Sequence, residues 1–106
     1  NKIGIYDLAM VIGVLIHIAP KYLPLAYENI YRATRRYILI GEYYSRQPKE
    51  VSYRGYKNKL FKRDFAGEML DKYTDLRLVD YGFFYHKDES SNLDDITWFL
   101  MEKADI

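Results

Sequence analysis

The most hydrophobic stretch of the chain is YDLAMVIGV, which spans Tyr6–Val14 and shows no polar alternation. Its length and its content of valine and isoleucine favour a strand that is buried on both faces, as in a parallel sheet. The uncharged part, Leu8–Ile16, is nine residues long, whereas a membrane-spanning helix needs about 20. We therefore predict a buried strand here and no membrane anchor.

The next segments alternate between helical and strand patterns. Pro20 can occupy the first turn of a helix, and apolar residues recur at spacings of three and four from there to Thr34. This amphipathic spacing predicts a helix over Pro20–Thr34. The run YILIGEYY then predicts a second strand over Tyr37–Tyr44. Strand, helix and strand in this order are typical of a right-handed crossover between parallel strands.

The second half of the chain begins with a polar segment, 45–63, which we predict to be a long loop. Asp64 is a suitable N-cap for a short helix that ends near Tyr73. Two further strands are predicted, over Leu76–Tyr85 and Ile96–Lys103. Because the connection between them is short and polar, they should be antiparallel neighbours. We expect one domain over residues 1–106, with an α/β sheet whose final strand is reversed.

Composition excludes several classes of protein. The chain has 106 residues, twelve tyrosines, no cysteine and a net charge of +1. The low charge argues against nucleic-acid binding through phosphate contacts. Without cysteine there can be no disulfide, thiolate zinc site or cysteine nucleophile, which fits a cytoplasmic protein. The two histidines have no spacing that would form a metal site, so we expect no metal.

The carboxyl ends of parallel strands are where ligands gather in such sheets. This rule selects Glu42 and Tyr44 at the end of the second strand, Arg54 in the long segment and Tyr85 at the end of the third strand. Glu42 either faces a pocket or lies at an exposed strand end. His17 either contacts the following helix or lines the same pocket. We expect Glu42, Tyr44, Arg54 and Tyr85 to bind a substrate.

Four segments of the chain carry a resemblance to a known family: YDLAMVIGVLIHIAP, LPLAYENIYRATRRYILIGEYY, YRGYKNKLFKRDFAGEML and DDITWFLMEK. Together they resemble class I S-adenosylmethionine-dependent methyltransferases and, more narrowly, the methylases associated with pseudaminic acid biosynthesis. The resemblance covers only the C-terminal half of that fold, from its fourth strand to its seventh. It implies a Rossmann-like sheet in which only the last strand is antiparallel and lies between the second and third strands of this chain.

The resemblance also implies a cofactor and an activity. The segment after the first strand would line the methionine end of S-adenosylmethionine, with Ile12, Gly13, Val14, Leu15 and His17. The acceptor would be a small molecule or a sugar such as a nonulosonic acid or its precursor. The glycine-rich cofactor motif of the family is absent from the sequence, so the chain alone should bind the cofactor weakly or not at all. No residue is assigned as catalytic, because alignment of the acceptor with the methyl group can suffice.

A second hypothesis is a non-catalytic α/β module that associates through its sheet. A sheet that begins at this first strand exposes a long hydrophobic edge, and such edges pair with other chains. The expected partner is a second copy of the chain, in a homodimer, or the missing N-terminal half of the fold.

Overall fold

The computed structural model describes residues 6–52, 59–84, 87 and 96–104. Within these ranges the chain forms two sheets and two helices. The larger sheet has four strands in the order β1-β2-β6-β5, and the smaller sheet has two, β3 and β4. The strands are β1 (Tyr6–Ile12), β2 (Thr34–Glu42), β3 (Lys49–Ser52), β4 (Lys59–Lys62), β5 (Leu76–Phe84) and β6 (Ile96–Lys103). The helices are α1 (Leu23–Ala33) and α2 (Phe65–Lys72).

The topology agrees with the predicted α/β class. β1 and β2 are parallel, and β6 is antiparallel to both β2 and β5. β6 therefore lies between β2 and β5, as the resemblance implied. The helix predicted from Pro20 begins as a 3-10 turn over Pro20–Tyr22 and continues as α1. The four main strands and both helices were thus predicted, with shifts of a few residues at their ends.

One face of the sheet carries the core, and both helices pack on this face. The inward residues of β2, Ile38 and Ile40, are almost completely buried, and so is Met101 opposite Ile38 on β6. They form one apolar cluster with Tyr27 of α1 and Met69 of α2. Burial of these side chains supplies most of the favourable free energy of folding.

The strand β1 corrects the prediction of a strand buried on both faces. Its side chains on the face away from the helices are open to solvent, and Tyr6, Leu8 and Met10 are 59%, 46% and 59% exposed. Among the described residues, β1 pairs only with β2, so it is an edge strand. A continuous apolar run indicates that both faces of the strand must be buried, but it does not show whether residues of this chain bury them.

The predicted loop over 45–63 also needs correction, because it contains regular structure. β3 and β4 pair as antiparallel strands, from Lys49 opposite Lys62 to Ser52 opposite Lys59. Each strand has only four residues, too few to give a clear period of two in the sequence. Leu60 of β4 is 7% exposed and belongs to the main apolar cluster, which fixes the hairpin to the rest of the fold.

The long crossover from β1 to β2 ends without a loop, because α1 stops at Ala33 and β2 starts at Thr34. The ammonium group of Lys103 donates to the carbonyl oxygens of Tyr31 and Thr34 at 2.7 and 2.6 Å. These carbonyls lie at the helix end, where they lack partners within the helix.

No helix among the described residues is long and apolar enough to cross a membrane.

The predicted N-cap of α2 is present, and its removal should destabilise the protein. The Asp64 carboxylate accepts a hydrogen bond from the backbone N–H of Gly67 at 2.9 Å. Asp64→Ala should lower the free energy of unfolding by about 1 kcal/mol, a fall in Tm of roughly 5 °C in thermal denaturation. Asp71→Ala, in the last turn of the same helix, is the matched control and should leave Tm within about 1 °C of the wild type.

Candidate functional site

The turn that follows β1 lies at the carboxyl end of the parallel strands and contains four of the five residues expected to bind the cofactor, the fifth, Ile12, being the last residue of β1. The N–H of Gly13 donates to the carbonyl oxygen of Gly41 at 2.8 Å, which extends the pairing with β2 by one residue. Gly13 has φ of +69°, which is unfavourable for residues with a Cβ atom. A Cβ atom built at Gly13 would meet nothing within 4 Å. The backbone here is thus open to the approach of a ligand.

The residues after Gly13 divide between solvent and core. Leu15 and Ile16 lie in a 3-10 turn, Leu15–His17, and are 1% and 4% exposed. Val14 is 51% exposed and His17 is also exposed. The surface available to a ligand is therefore the backbone of Gly13 with the side chains of Val14 and His17. Ile12 is half-buried beside them, and the side chain of Leu15 belongs to the core.

Glu42 holds this turn in place. Its side chain is 2% exposed and accepts three backbone hydrogen bonds: from Val14 and Leu15 through Oε2, both at 3.1 Å, and from Ile16 through Oε1 at 3.2 Å. Burial raises the pKa of the Glu42 carboxyl, and the backbone N–H groups of the turn oppose that rise. Of the two interpretations left open by the sequence, the exposed strand end is therefore wrong. Glu42 faces inward and positions the turn.

The hairpin β3–β4 lies beside the turn. β4 contacts the 3-10 turn at Leu15–His17, and a shallow pocket of about 230 Å3 lies at the hairpin and reaches Pro20, three residues after that turn. Its lining residues are Pro20, Pro48, Lys49, Glu50, Phe61, Lys62 and Arg63. The ammonium group of Lys62 also lies 5.5 Å from the centre of the Tyr43 ring. A small cationic pocket therefore lies at the hairpin, beside Pro20.

An ion pair holds Arg63, one of the lining residues of this pocket, and a tyrosine shares its carboxylate partner. The Nε atom of Arg63 donates to Glu68 of α2 at 2.5 Å, and the hydroxyl of Tyr27 donates to the same carboxylate at 2.7 Å. Burial and the hydrogen bond to Glu68 raise the pKa of Tyr27. One carboxylate thus connects α1, α2 and the end of the hairpin.

Aromatic rings border the site on the other side. Tyr44, expected to bind substrate, is 44% exposed, and its ring centre lies 6.0 Å from that of Phe99 on β6. Tyr81 of β5 lies 6.3 Å from the same Phe99 ring and is 64% exposed. Tyr81 and Phe99 were not selected from the sequence, because only the insertion of β6 between β2 and β5 brings them beside Tyr44. Arg54 and Tyr85, the other two expected substrate residues, lie outside the described residues.

A wider groove of about 720 Å3 lies at the opposite end of the sheet, where its arginines form ion pairs. Arg35 pairs with Asp7 at 2.9 Å, and Arg36 and Arg77 both contact Glu102. The hydrogen bonds from the two arginines lower the pKa of Glu102. Within the part of the chain that the structure describes, no three His, Cys, Asp or Glu residues are placed to hold a metal ion. The turn after β1 remains the candidate site.

No family model matches the chain, and no curated protein matches it in sequence. A solved structure does match with a TM-score of 0.73 and 14% identity: a Burkholderia thailandensis 1,6-didemethyltoxoflavin-N1-methyltransferase, which contains 1,6-didemethyltoxoflavin and S-adenosylhomocysteine. The match covers 99% of this chain and 47% of that one, so the chain spans about half the length of the solved enzyme. The fold is therefore similar to the Rossmann-like fold of a methyltransferase, and the predicted fold class is confirmed.

Proposed function

We propose that the chain is the acceptor-side half of an S-adenosylmethionine-dependent methyltransferase. The observation that carries this proposal is the open backbone at Gly13, fixed by the buried carboxylate of Glu42 at the carboxyl end of β1. Ligands of α/β sheets bind at this end of the strands. The solved enzyme of similar fold holds S-adenosylhomocysteine, the product of methyl transfer from S-adenosylmethionine.

Methyl transfer requires few of the side chains at the site to take part in the reaction. When bound, the cofactor would supply an electrophilic methyl group to an oxygen, nitrogen or carbon atom of the acceptor, with S-adenosylhomocysteine as the leaving group and the acceptor's proton passing to solvent. Correct placement of the two reactants can supply most of the rate enhancement. The turn over Gly13–His17 would place the methionine end of the cofactor, and no residue of the chain needs to act as a base.

The proposed acceptor is a small molecule or a sugar such as a nonulosonic acid. Tyr44, with Phe99 and Tyr81 behind it, offers an apolar face against which a sugar ring can stack. Lys62 and Lys49 at the pocket of the hairpin carry positive charge, which suits an acceptor with a carboxylate. The proposed acceptor therefore has a ring and a negative charge.

Titration of the chain with S-adenosylhomocysteine, followed by the backbone amide signals in NMR spectra, tests the cofactor assignment even if binding is weak. We expect millimolar ligand to shift the amide signals of Ile12–His17, because the methionine end lies there. Adenosine, which lacks that end, is the control and should leave these signals unchanged. Shifts confined to this segment would support the cofactor assignment over a non-catalytic α/β module, whereas shifts elsewhere in the chain and none in this segment would contradict it.

A further inference from the structure

The groove of about 720 Å3 at the end of the sheet opposite the candidate site has an excess of positive charge. It is formed where β1, β2 and β5 begin and β6 ends. Among the described residues, four cationic side chains and two carboxylates line it, which gives a formal charge of +2. We call it the basic groove, and its charged members are Arg35, Arg36, Arg77, Lys103, Asp7 and Glu102. Small-molecule pockets commonly have volumes of about 300–1,000 Å3, so the basic groove is large enough for a small anion.

One carboxylate holds two of the arginines close together. Glu102 lies on the central strand β6, between Arg77 of β5 and Tyr37 of β2 in the register of the sheet. Its Oε1 accepts a hydrogen bond from Nη2 of Arg77 at 3.1 Å, and its Oε2 accepts one from Nε of Arg36 at 2.9 Å. The guanidinium carbon of Arg36 also lies 4.7 Å from the centre of the Tyr37 ring. Two guanidinium groups are thus ordered side by side before any ligand binds.

These two guanidinium groups are accessible to a ligand. The side chains of Arg36 and Arg77 are 59% and 69% exposed, whereas that of Glu102 is 16% exposed. A guanidinium group presents five N–H donors in a planar fork, which matches the oxygen atoms of a phosphate. Binding normally costs the entropy of ordering long side chains. Because Glu102 already orders both arginines, a phosphate that bridges them loses less entropy on binding.

A third arginine and a lysine add to the charge of the basic groove. Arg35 pairs with Asp7 at 2.9 Å, and both side chains are largely exposed, so this weak pair can open for a ligand. Lys103 donates to two main-chain carbonyls at the end of α1 and adds charge at the wall of the groove. The carboxylate of Asp75, which also acts on Lys103, accepts a hydrogen bond from the hydroxyl of Tyr31 and is not a lining group. The three arginines are therefore the groups that can contact an anion.

We propose that the basic groove binds a phosphate group, either as free phosphate or as the phosphate monoester of a small molecule, through Arg36, Arg77 and Arg35. A phosphate monoester carries about two negative charges at neutral pH, which balances the formal charge of the groove. Arg36 and Glu42 are six residues apart on β2, a separation of about 20 Å. The phosphate site is therefore distinct from the turn at Gly13, and the inference does not rest on the proposed function.

NMR titrations at neutral pH and constant ionic strength test the site with ribose 5-phosphate and with inorganic phosphate. We expect millimolar ribose 5-phosphate to shift the Nε–Hε signals of Arg36 and Arg77 and to leave the amide signals of Ile12–His17 unchanged. Ribose, which lacks the phosphate, is the control and should shift none of them. Tighter binding of ribose 5-phosphate than of inorganic phosphate would assign a monoester, and equal affinity would assign free phosphate. Absence of shifts at both arginines with both phosphates would overturn the proposal.

Three substitutions distinguish a positioned phosphate site from unspecific attraction by positive charge. Arg77→Gln removes a guanidinium group and should weaken binding of ribose 5-phosphate about fivefold or more. Arg46→Gln removes the same charge from an exposed residue beyond the other end of β2 and should change the affinity less than about twofold. Arg77→Lys keeps the charge but loses the planar fork, so it should weaken binding about threefold.

Two results with these variants would overturn the proposal. Equal weakening by Arg77→Gln and Arg46→Gln would show that only net charge matters, and wild-type affinity of Arg77→Lys would show that no guanidinium fork is used. The arginine is exposed, so both of its variants should fold, and their amide spectra verify this. S-adenosylhomocysteine contains no phosphate and is followed at Ile12–His17. Failure of one titration therefore leaves the other proposal intact.

Discussion

Replacing Glu42 with alanine is expected to lower the free energy of unfolding by about 3 kcal/mol. The substitution leaves the N–H groups of Val14, Leu15 and Ile16 without their acceptor, and a buried donor without a partner costs roughly 1–3 kcal/mol. Water can satisfy only the Val14 N–H, which is partly exposed. Urea denaturation monitored by circular dichroism measures the loss.

Glu28→Ala is the matched control for this prediction. Glu28 is an exposed residue of α1 and forms an ion pair with Arg32 between largely exposed side chains. Such pairs contribute little, so this variant should stay within about 0.5 kcal/mol of the wild type. A loss below about 1 kcal/mol for Glu42→Ala would show that the turn does not depend on the carboxylate.

The pH profile of stability gives a second readout on Glu42. Burial raises the pKa of the Glu42 carboxyl above its ordinary value of 4.5. The folded protein therefore binds a proton at this carboxyl more tightly than the unfolded chain does. The contribution of Glu42 to stability is therefore complete below pH 4.5 and decreases as the pH rises through the raised pKa. The side-chain amide of Glu42→Gln does not titrate. The unfolding free energy of the wild type minus that of the variant should therefore decrease as the pH rises through the raised pKa. A flat difference would contradict the raised pKa.

The role of Glu42 also shows where prediction from sequence stopped. The carboxylate stood out because it interrupts an apolar strand, and the rule about strand ends placed it at the correct edge of the sheet. Its three donors lie 26–28 residues earlier in the chain. Only the parallel pairing of β1 with β2 brings them together, and that register follows from tertiary packing. The position of Glu42 at this edge of the sheet was therefore predictable from the sequence, whereas the orientation of its side chain was not.

The strands likewise include some that the sequence predicts and some that it does not. β6 was predicted with the observed limits, Ile96–Lys103, because it begins with four residues of strong strand preference, Ile96–Phe99, after a polar segment. The hairpin β3–β4 was missed, because its strands are short and flanked by lysines. Its place in the fold depends on one buried residue, Leu60, which contacts a core formed by distant segments. Local pattern is informative for long strands, whereas a short hairpin depends on what it packs against.

Substitutions at Gly13 should separate the folding role of this residue from its role in ligand binding. Gly13→Val forces a β-branched residue to adopt φ of +69° and should cost about 2 kcal/mol of stability. Gly13→Asn should fold normally, because asparagine tolerates this region of backbone conformation. Its side chain would nevertheless enter the space that is empty within 4 Å of the Cβ position. We therefore expect Gly13→Asn to keep the wild-type Tm but to weaken binding of S-adenosylhomocysteine at least tenfold in the NMR titration.

The combination of the two variants makes the result decisive. If Gly13→Asn folds and binds S-adenosylhomocysteine as the wild type does, no ligand approaches the backbone at Gly13, and the proposed cofactor site is wrong. If Gly13→Asn loses stability as Gly13→Val does, the glycine is required for the turn, and binding must be compared at equal fractions of folded protein. A stable Gly13→Asn with weakened binding can arise only if the ligand occupies the space above the turn. Glu42 fixes the turn that borders this space, because it accepts hydrogen bonds from the three amides that follow Gly13.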